Sequence, residues 1–590
     1  MSAEKLITDH IEIWTSTVKA KSASGRGSSK KRELYGIKKL RELILELAVR
    51  GKLVPQDPSD EPASVLLERI AEEKAQLVKV KEIPKTKPLP AISPDEIPDD
   101  LPAGWSMVRL GEIVTKMGSG STPRGGQKAY VDDGVIFLRS QNVWNEGVRL
   151  DDVAYISDEV HQKMSNTKVL PGDVLLNITG ASLGRTTIFP SDFVEANVNQ
   201  HVTIIRLIEL EMNKFVHLGL MSPMVQKLVW GRQVGMAIEG LSKKVLEQFE
   251  YPIPPINEQH RIVAKVDELM VLCDQLEQQT ETSLDAHQVL VETLLATLTN
   301  SQDATELMAN WARISEHFDT LFTTEASIDQ LKQTILQLAV MGKLVPQDTN
   351  DEPAAKLLER IAEEKAQLVK EKKIKKQKAL PPIANSEKPF ELPEGWVWCR
   401  LDDICQGITS GSTPPKSNFQ ELPGIPYLKV YNIRNQLIDF EYNPQFIDIE
   451  CHSSKLARSI LYPGDVVMNI VGPPLGKIAL IPDSYPEWNC NQAITFFRPI
   501  EPSLNRYIYT YLTAGTFLES IELIGTAGQD NISVTKSRSI VLPTPPLEEQ
   551  SRIVHKVNDL LNICDQLKQR LRDSQQTQLQ LTDAIVEQVA

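Results

Sequence analysis

The chain has 590 residues with 64 basic and 78 acidic side chains, a formal net charge of −14, 41% hydrophobic residues and six cysteines. That length exceeds one hydrophobic core and implies several domains, and no run reaches the eighteen or more apolar residues of a membrane span. The scattered cysteines lack disulfide-framework or zinc spacing, and residues 1–20 mix charged and apolar residues too freely for a signal peptide, so a reduced, cytoplasmic setting is expected.

In chain order, residues 1–100 read as a helical region and linker. IKKLRELILELAV (37–49) places Leu40, Leu43, Ile44 and Leu47 on one helical face. Gly51 sits where a helix C-terminal glycine belongs. LLERIAEEKAQLVK (66–79) is a second amphipathic helix, started by Asp60, Glu61 and Pro62. A proline-rich stretch at 84–102 then opens a globular segment, 101–256. Within it VIFLRS (135–140), DVLLNI (173–178) and VTIIRL (202–207) read as strands, and NKFVHLGLMS (213–222) as a helix. Residues 257–391 form a central helical spacer region. Its heptad seam runs from Ile262 through Val266, Leu269, Cys273, Leu276, Thr280, Ser283, His287, Leu290 and Leu294. Prolines at 380–393 lead into a second globular segment, 392–547, where NRYIYTYLTAG (505–515) reads as a helix. Residues 548–590 close the chain with a second seam: Ile553, Val557, Leu560, Cys564, Leu567, Leu571, Ser574, Gln578, Leu581 and Ile585. About 40 helical residues make a rod of roughly 60 Å.

Two copies of one unit account for this order. GKLVPQD at 51–57 recurs unchanged at 342–348, and LLERIAEEKAQLVK at 66–79 recurs unchanged at 357–370, both offset by 291. The offset, with one residue added midway, aligns SGSTP (119–123) with 410–414, PGDVLLNITG (171–180) with PGDVVMNIVG (463–472), and NVNQ (197–200) with NCNQ (489–492). It also aligns PPINEQHRIV (254–263) with PPLEEQSRIV (545–554). The helical flanks are nearly identical, whereas the globular segments share only their punctuation; 124–170 and 415–462 have little in common. Identical flanks suit two copies of one partner, and divergent globular parts suit two different ligand readings. Unequal drift after duplication gives the same pattern.

No catalytic constellation emerges. GSGSTP (118–123) lacks the last glycine of a dinucleotide loop and the GK[ST] of a P-loop. NPQF (443–446) departs at Gln445 from an amino-methyltransferase motif, and His201 faces Ala493 in the second copy. Cys273 and Cys564 read as small buried hydrophobes. Groups suited to DNA are present instead. Charge is near balance in 101–256, with 15 basic against 16 acidic residues, and in 392–547, with 11 against 15, so affinity rests on local patches. SGSTPRGGQK offers Ser119, Ser121, Thr122, Arg124, Gln127 and Lys128, and the second copy offers Ser410, Ser412, Thr413 and Lys416. FLRSQN ends in Arg139, Gln141 and Asn142, matched by Lys429, Tyr431, Asn432 and Arg434. A third loop carries Arg232 and Gln233, against Gln529, Asp530 and Asn531. Hydroxyls, amides and cations bond phosphate oxygens, and Arg, Lys, Asn and Gln distinguish guanine from adenine in the major groove. Each is equally compatible with a solvated surface position.

The order of helix pair, GSGSTP turn, PGDV, G-x-x-x-G-R/K, NxNQ and PPxxEQxRIV running into a long helix resembles the specificity subunit of Type I restriction-modification systems, most like the Type IB branch, over roughly residues 35–590. The resemblance implies an α+β chain: two α/β target-recognition domains separated by long antiparallel coiled-coil-like helices, in a tandem pseudo-two-fold repeat. It implies no catalytic residue, metal or cofactor on this chain. Its implied partners are double-stranded DNA, read as a split asymmetric site, two methylating subunits that bind S-adenosylmethionine, and two motor-nuclease subunits that use ATP and magnesium. Half-sites one turn apart lie about 34–36 Å from each other, a span within reach of such rods. A protein- or glycan-binding adaptor and a concealed enzyme are the competing readings.

Overall fold

A computed structural model describes residues 3–20, 32–233, 240–472, 474–521 and 531–589. The chain divides into two compact units. One holds residues 1–283 together with 574–590, and the other holds 284–573.

In the first unit, a four-stranded antiparallel sheet has the order Thr186–Ile188, Val174–Asn177, Val202–Leu207, Val114–Ser119. The central strands are continuous runs of β-branched and aliphatic residues and are buried on both faces. A second, five-stranded sheet runs Lys168–Val169, Ala196–Val198, Val135–Leu138, Ala154–Ile156, Tyr130–Val131, with one parallel pair between Ala196–Val198 and Val135–Leu138. The helices Asn213–Met221 and Pro223–Gly231 lie in the same globular segment. The strand Ser106–Arg109 pairs with Glu250–Ile253, so the segment's first and last strands meet and the long helix starts beside the segment's beginning. The second unit repeats this arrangement. Its sheets run Cys405–Ser410, Ile494–Pro499, Val466–Asn469, Ile478–Leu480 and Phe419–Gln420, Phe446–Ile447, Ile425–Leu428, Asn489–Cys490, and Val397–Arg400 pairs with Val541–Thr544.

GKLVPQD, repeated without change, meets the start of the long helix in both copies. Gln56, from GKLVPQD, donates to the buried Glu258 carboxylate of PPINEQHRIV at 3.2 Å and to the Gly51 carbonyl at 2.6 Å. In the second unit Gln347 and the Trp396 indole donate to Glu549 at 3.2 and 3.0 Å. Burial pushes both glutamates' pKa up. Gly51 has φ +66°, and a Cβ there would fall 2.4 Å from Pro102 Cγ, which explains the glycine. Asp60 does not cap the helix Ala63–Lys79; its carboxylate holds Arg261 of the long helix at 2.6 Å, as Asp351 holds Arg552 at 2.5 Å.

Helices Ile256–Asn300 and Leu547–Val589 each begin in one unit and end in the other. In the second unit Glu325, Asp329 and Lys332 pair with Arg572, Lys568 and Asp565, so the helix Glu325–Val340 runs antiparallel to 547–573. Val291, Leu295 and Leu298 pack into the same cluster with Cys564. In the first unit Thr582 and Asp583 take the corresponding place, bonding Thr17 at 3.1 Å and Tyr35 at 2.7 Å. The last residues of the chain therefore complete the first unit.

The seam departs from strict heptads. Ile262, Val266, Leu269, Cys273 and Leu276 are buried as expected. Beyond Ser283, however, Val291, Leu295 and Leu298 are buried, and Leu290 is 49% exposed. Likewise Thr582 is buried and Leu581 is 46% exposed. A straight helix drifts by about 20° per heptad against a 3.5-residue repeat, so after four heptads the buried position has moved by nearly one residue. The polar interruption at Ser283 and Ser574 coincides with the passage between units.

Candidate nucleic-acid interface

The register of the four-stranded sheet brings the divergent loops to one edge. Ser119 lies opposite Thr203, Asn177 opposite Val202, and Thr186 opposite Leu176. The loop after Ser119, the loop after Asn177 and the turn before Val202 therefore leave the same end of the sheet. Two shared motifs lock together there. Gly120 N–H donates to the Val202 carbonyl at 3.0 Å and Ser121 N–H to the Val198 carbonyl at 3.1 Å. A Cβ on Gly120 would sit 1.9 Å from that Val198 oxygen. The Thr122 hydroxyl donates to Gln200. In the second unit Gly411 and Ser412 donate to Ile494 and Cys490, Thr413 donates to Gln492, and a Cβ on Gly411 would fall 2.0 Å from the Cys490 oxygen. SGSTP and NxNQ are thus parts of one frame.

Buried charge holds the frame. Asp173 takes both Arg206 nitrogens at 2.7 Å, and Asp465 holds Arg498 likewise. Arg109 bonds Glu96 at 2.7 Å, Glu250 at 2.7 Å and the Gln248 carbonyl, while Arg400 bonds Glu387. The Ser93 amide, with Arg109, keeps the Glu96 carboxyl down at about 2. All six cysteines are buried. Burial, as the main cause, lifts Cys399 and Cys490 to about 12 and Cys273 and Cys564 to about 11, which keeps these thiols protonated.

Upon this frame the expected contact residues have different fates. Ser119, Ser121, Thr122, Arg124, Gln127 and Lys128 are exposed, on a loop that turns through two left-handed glycines, Gly125 and Gly126. Lys416 and Thr413 are exposed and Ser410 half-buried in the second copy; Ser412 accepts from Arg458 at 3.0 Å. Arg139 and Gln141 both reach Asp152, which partly neutralises the arginine. Lys429 lies 5.2 Å from the Phe419 ring centre, the Tyr431 hydroxyl donates to the Asn443 carbonyl, and Arg434 stacks on Tyr442 at 4.2 Å beside Asp439.

Asn142 and Asn432 are corrections. They are 2% and 0% exposed. Each side-chain oxygen accepts from a backbone amide, at Arg139 and Lys429, and each NH2 donates to two carbonyls, those of Arg149 and Asp152 or of Asp439 and Tyr442. Their amides shape the loop: the NH2 donors are spent on carbonyls and the side chains are buried, so they are not presented to a base. Arg232 is also diverted: Glu250 holds it at 2.9 Å, while Gln233 donates to the Trp230 carbonyl. Asn531 lies opposite Val471, just beyond the strand Val466–Asn469. Gln529 and Asp530 lie outside the described residues.

Sequence reasoning missed Trp144, whose ring centre lies 3.7 Å from the Arg149 guanidinium and 3.8 Å from that of Arg185. The available signal was the basic residue closing G-x-x-x-G-R/K in both copies, Arg185 and Lys477.

A family model described as the Type I restriction modification DNA specificity domain matches residues 102–286 and again 393–574. The chain belongs to this family, as the specificity subunit of a Type I restriction-modification system. It is 44% identical to the specificity subunit of the type I restriction enzyme EcoEI of Escherichia coli, over all of this chain and 99% of that one. To the EcoAI specificity subunit of Escherichia coli it is 43% identical, with the same coverage. A solved structure described as the structural basis underlying complex assembly and conformational transition of the type I R-M system overlaps 83% of this chain and 98% of its own, at 18% identity and a TM-score of 0.48. As a specificity subunit the chain is a non-catalytic member of its complex. Among the described residues no helix is long and apolar enough to cross a membrane.

Proposed function

We propose that residues 101–256 and 392–547 are two target-recognition domains that each read one half of a split, asymmetric DNA site. The observation that carries this is the pairing of a common frame with divergent loops: SGSTP, NxNQ and the Asp173–Arg206 type of ion pair recur, while the side chains on the loops at that edge differ. Ser121, Thr122, Arg124, Gln127, Lys128, Arg139 and Gln141 are the reading candidates of the first domain. Those of the second are Thr413, Lys416, Lys429, Tyr431, Arg434 and Asn531. Residues 1–100, 257–391 and 548–590 are the helical parts that set the number of unread base pairs between the halves. The near-identical flanks suit two copies of one methylating subunit, joined in the restricting complex by two motor-nuclease subunits. S-adenosylmethionine belongs to the former, ATP and magnesium to the latter, and none of these to this chain. Alignment over 99% of both relatives, N-terminal helices included, supports the same overall plan, and the branch proposed for this chain is Type IB. A cytoplasmic location follows from DNA as the partner.

The test is selection from random duplex DNA by the complex of this chain with its methylating subunits. Two short enriched blocks separated by a fixed unspecified gap are expected. Absence of any split sequence would favour the adaptor reading.

A further inference from the structure

Six basic positions are shared between the copies in the globular segments, and they divide by what they touch; at one of them, Lys163 against Lys455, the first copy's lysine is taken by Glu159 at 2.6 Å. Arg109 and Arg400 are clamped by glutamates, and Arg206 and Arg498 by aspartates. Arg139 is drawn to Asp152, whereas Lys429 lies over aromatic rings. Lys214 and Arg506 follow the strands Val202–Leu207 and Ile494–Pro499, at the end of the sheet opposite the divergent loops. Arg185 and Lys477 remain. Each immediately precedes an edge strand, at the divergent-loop end, and neither forms an ion pair or side-chain hydrogen bond among the described residues.

Both are held in place by the same device. The Thr186 N–H donates to the Asn145 side chain at 3.0 Å, and the Ile478 N–H donates to the Gln436 side chain at 2.6 Å. A residue of the hairpin Val143–Trp144/Gly147–Val148, or of its counterpart Ile433–Arg434/Leu437–Ile438, thus fixes the backbone beside the cation. In the first domain Trp144, itself anchored through its indole N–H to the Gln141 carbonyl at 2.7 Å, stacks on Arg185. Two guanidinium groups within 4 Å of one ring centre cannot share a face, so Arg149 takes the other side. The result is a stiff pair of cations on one indole. Stacking uses the flat face of a guanidinium and leaves its N–H edge free for acceptors.

We infer that Arg185 and Lys477 are the sequence-independent phosphate anchors of the two domains, one per half-site, each gripping a backbone phosphate beside the bases its own loops read. This rests on the proposed DNA-reading function and adds a division of labour to it. A position kept basic in both copies, beside loops whose outward side chains differ, suits the part of DNA that does not vary, the phosphate. A stacked arginine in one copy and an unstacked lysine in the other both serve as a charge for an anion, whereas the forked geometry of a bidentate arginine is lost in that exchange.

The experiment titrates salt against the complex with its methylating subunits, on the selected duplex and on a duplex of scrambled sequence. Arg185→Gln is expected to weaken both by the same factor and to lower the slope of log affinity against log salt by about 1. Lys477→Gln is expected to do the same. Arg185→Lys, which keeps the charge and loses the stacking, is expected to keep the wild-type slope. Lys214→Gln, at the opposite end, is expected to leave it unchanged. A wild-type slope for Arg185→Gln overturns the proposal, and so does a change in the bases it selects. Wild-type protein measured alongside separates the two failures. If it selects no split site, the DNA-reading function fails. If it selects one while Arg185→Gln keeps its slope, only the phosphate anchor fails.

Discussion

The loop that starts at Arg139 and its counterpart at Lys429 fold around the same buried asparagine, yet they present different chemistry. In the first, Arg139 and Gln141 converge on Asp152, and Trp144 carries two guanidinium groups. In the second, Tyr442 replaces the aspartate, Tyr431 replaces the glutamine, Lys429 replaces the arginine, and Arg434, at the place of Trp144, stacks on Tyr442. Asn142 and Asn432 make matching bonds beneath both. A loop whose backbone bonds are supplied by one buried amide can exchange its outward side chains without losing its shape. Under the proposed function, recognition and folding fall to different residues a position or two apart.

That separation is breakable at its frame. Gly120→Ala is expected to have the largest effect, because the added Cβ meets a carbonyl oxygen that the NVNQ strand cannot withdraw. A loss of about 3 kcal/mol or more in the first unit is expected, seen in thermal unfolding as an early transition, while the second half of the DNA site is still selected. Next, truncation after Asp573 removes Thr582 and Ile585 from the first unit, although they are far from it in sequence. Losing one buried aliphatic side chain and its neighbours costs about 2–3 kcal/mol. Hydrogen exchange is expected to rise in the helix Tyr35–Val49 and to leave Glu325–Val340 as it was.

Asn142→Ala and Gln141→Ala test the comparison within one loop. The first leaves a backbone amide and two carbonyls unpaired, a cost of about 2 kcal/mol. The second is expected to change stability by no more than about 0.5 kcal/mol but to relax selection at one base pair. A further small effect concerns acid. Arg572 holds the Glu325 carboxyl down at about 2, against an ordinary value of 4.5. Its folded pKa is depressed, so its contribution is complete above about 4.5 and is lost as the pH falls through 2. On a partly exposed pair this amounts to about 1 kcal/mol or less. Glu325→Gln is expected to flatten that part of the second unit's acid unfolding curve.

Much of the architecture was legible in sequence because it is periodic or repeated. The strands Val174–Asn177 and Val202–Leu207 announced themselves as β-branched runs, and both long helices as seams. The one-residue shift that buries Val291 and Thr582 was not, because it accumulates from the difference between 3.5 and 3.6 residues per turn over the helix's length. The reading loops were legible as composition but not as roles. An asparagine that caps a loop and one that reads adenine are the same residue, and only burial separates Asn142 from Gln141. Arg232 reads as a free cation until Glu250, 18 residues on, is brought beside it. The Trp144 stack depends on Arg185, 41 residues away, and no spacing reveals that contact.

Under the proposed function, each domain reads its own half of the site through loops on an interchangeable frame. This is tested most directly by a chain that carries the second segment, 392–547, in place of 101–256, assembled with the methylating subunits and used to select random duplex DNA. The expected result is a split site whose two halves carry the same sequence, that of the second half of the wild-type site. Continued selection of the original asymmetric site would contradict the account.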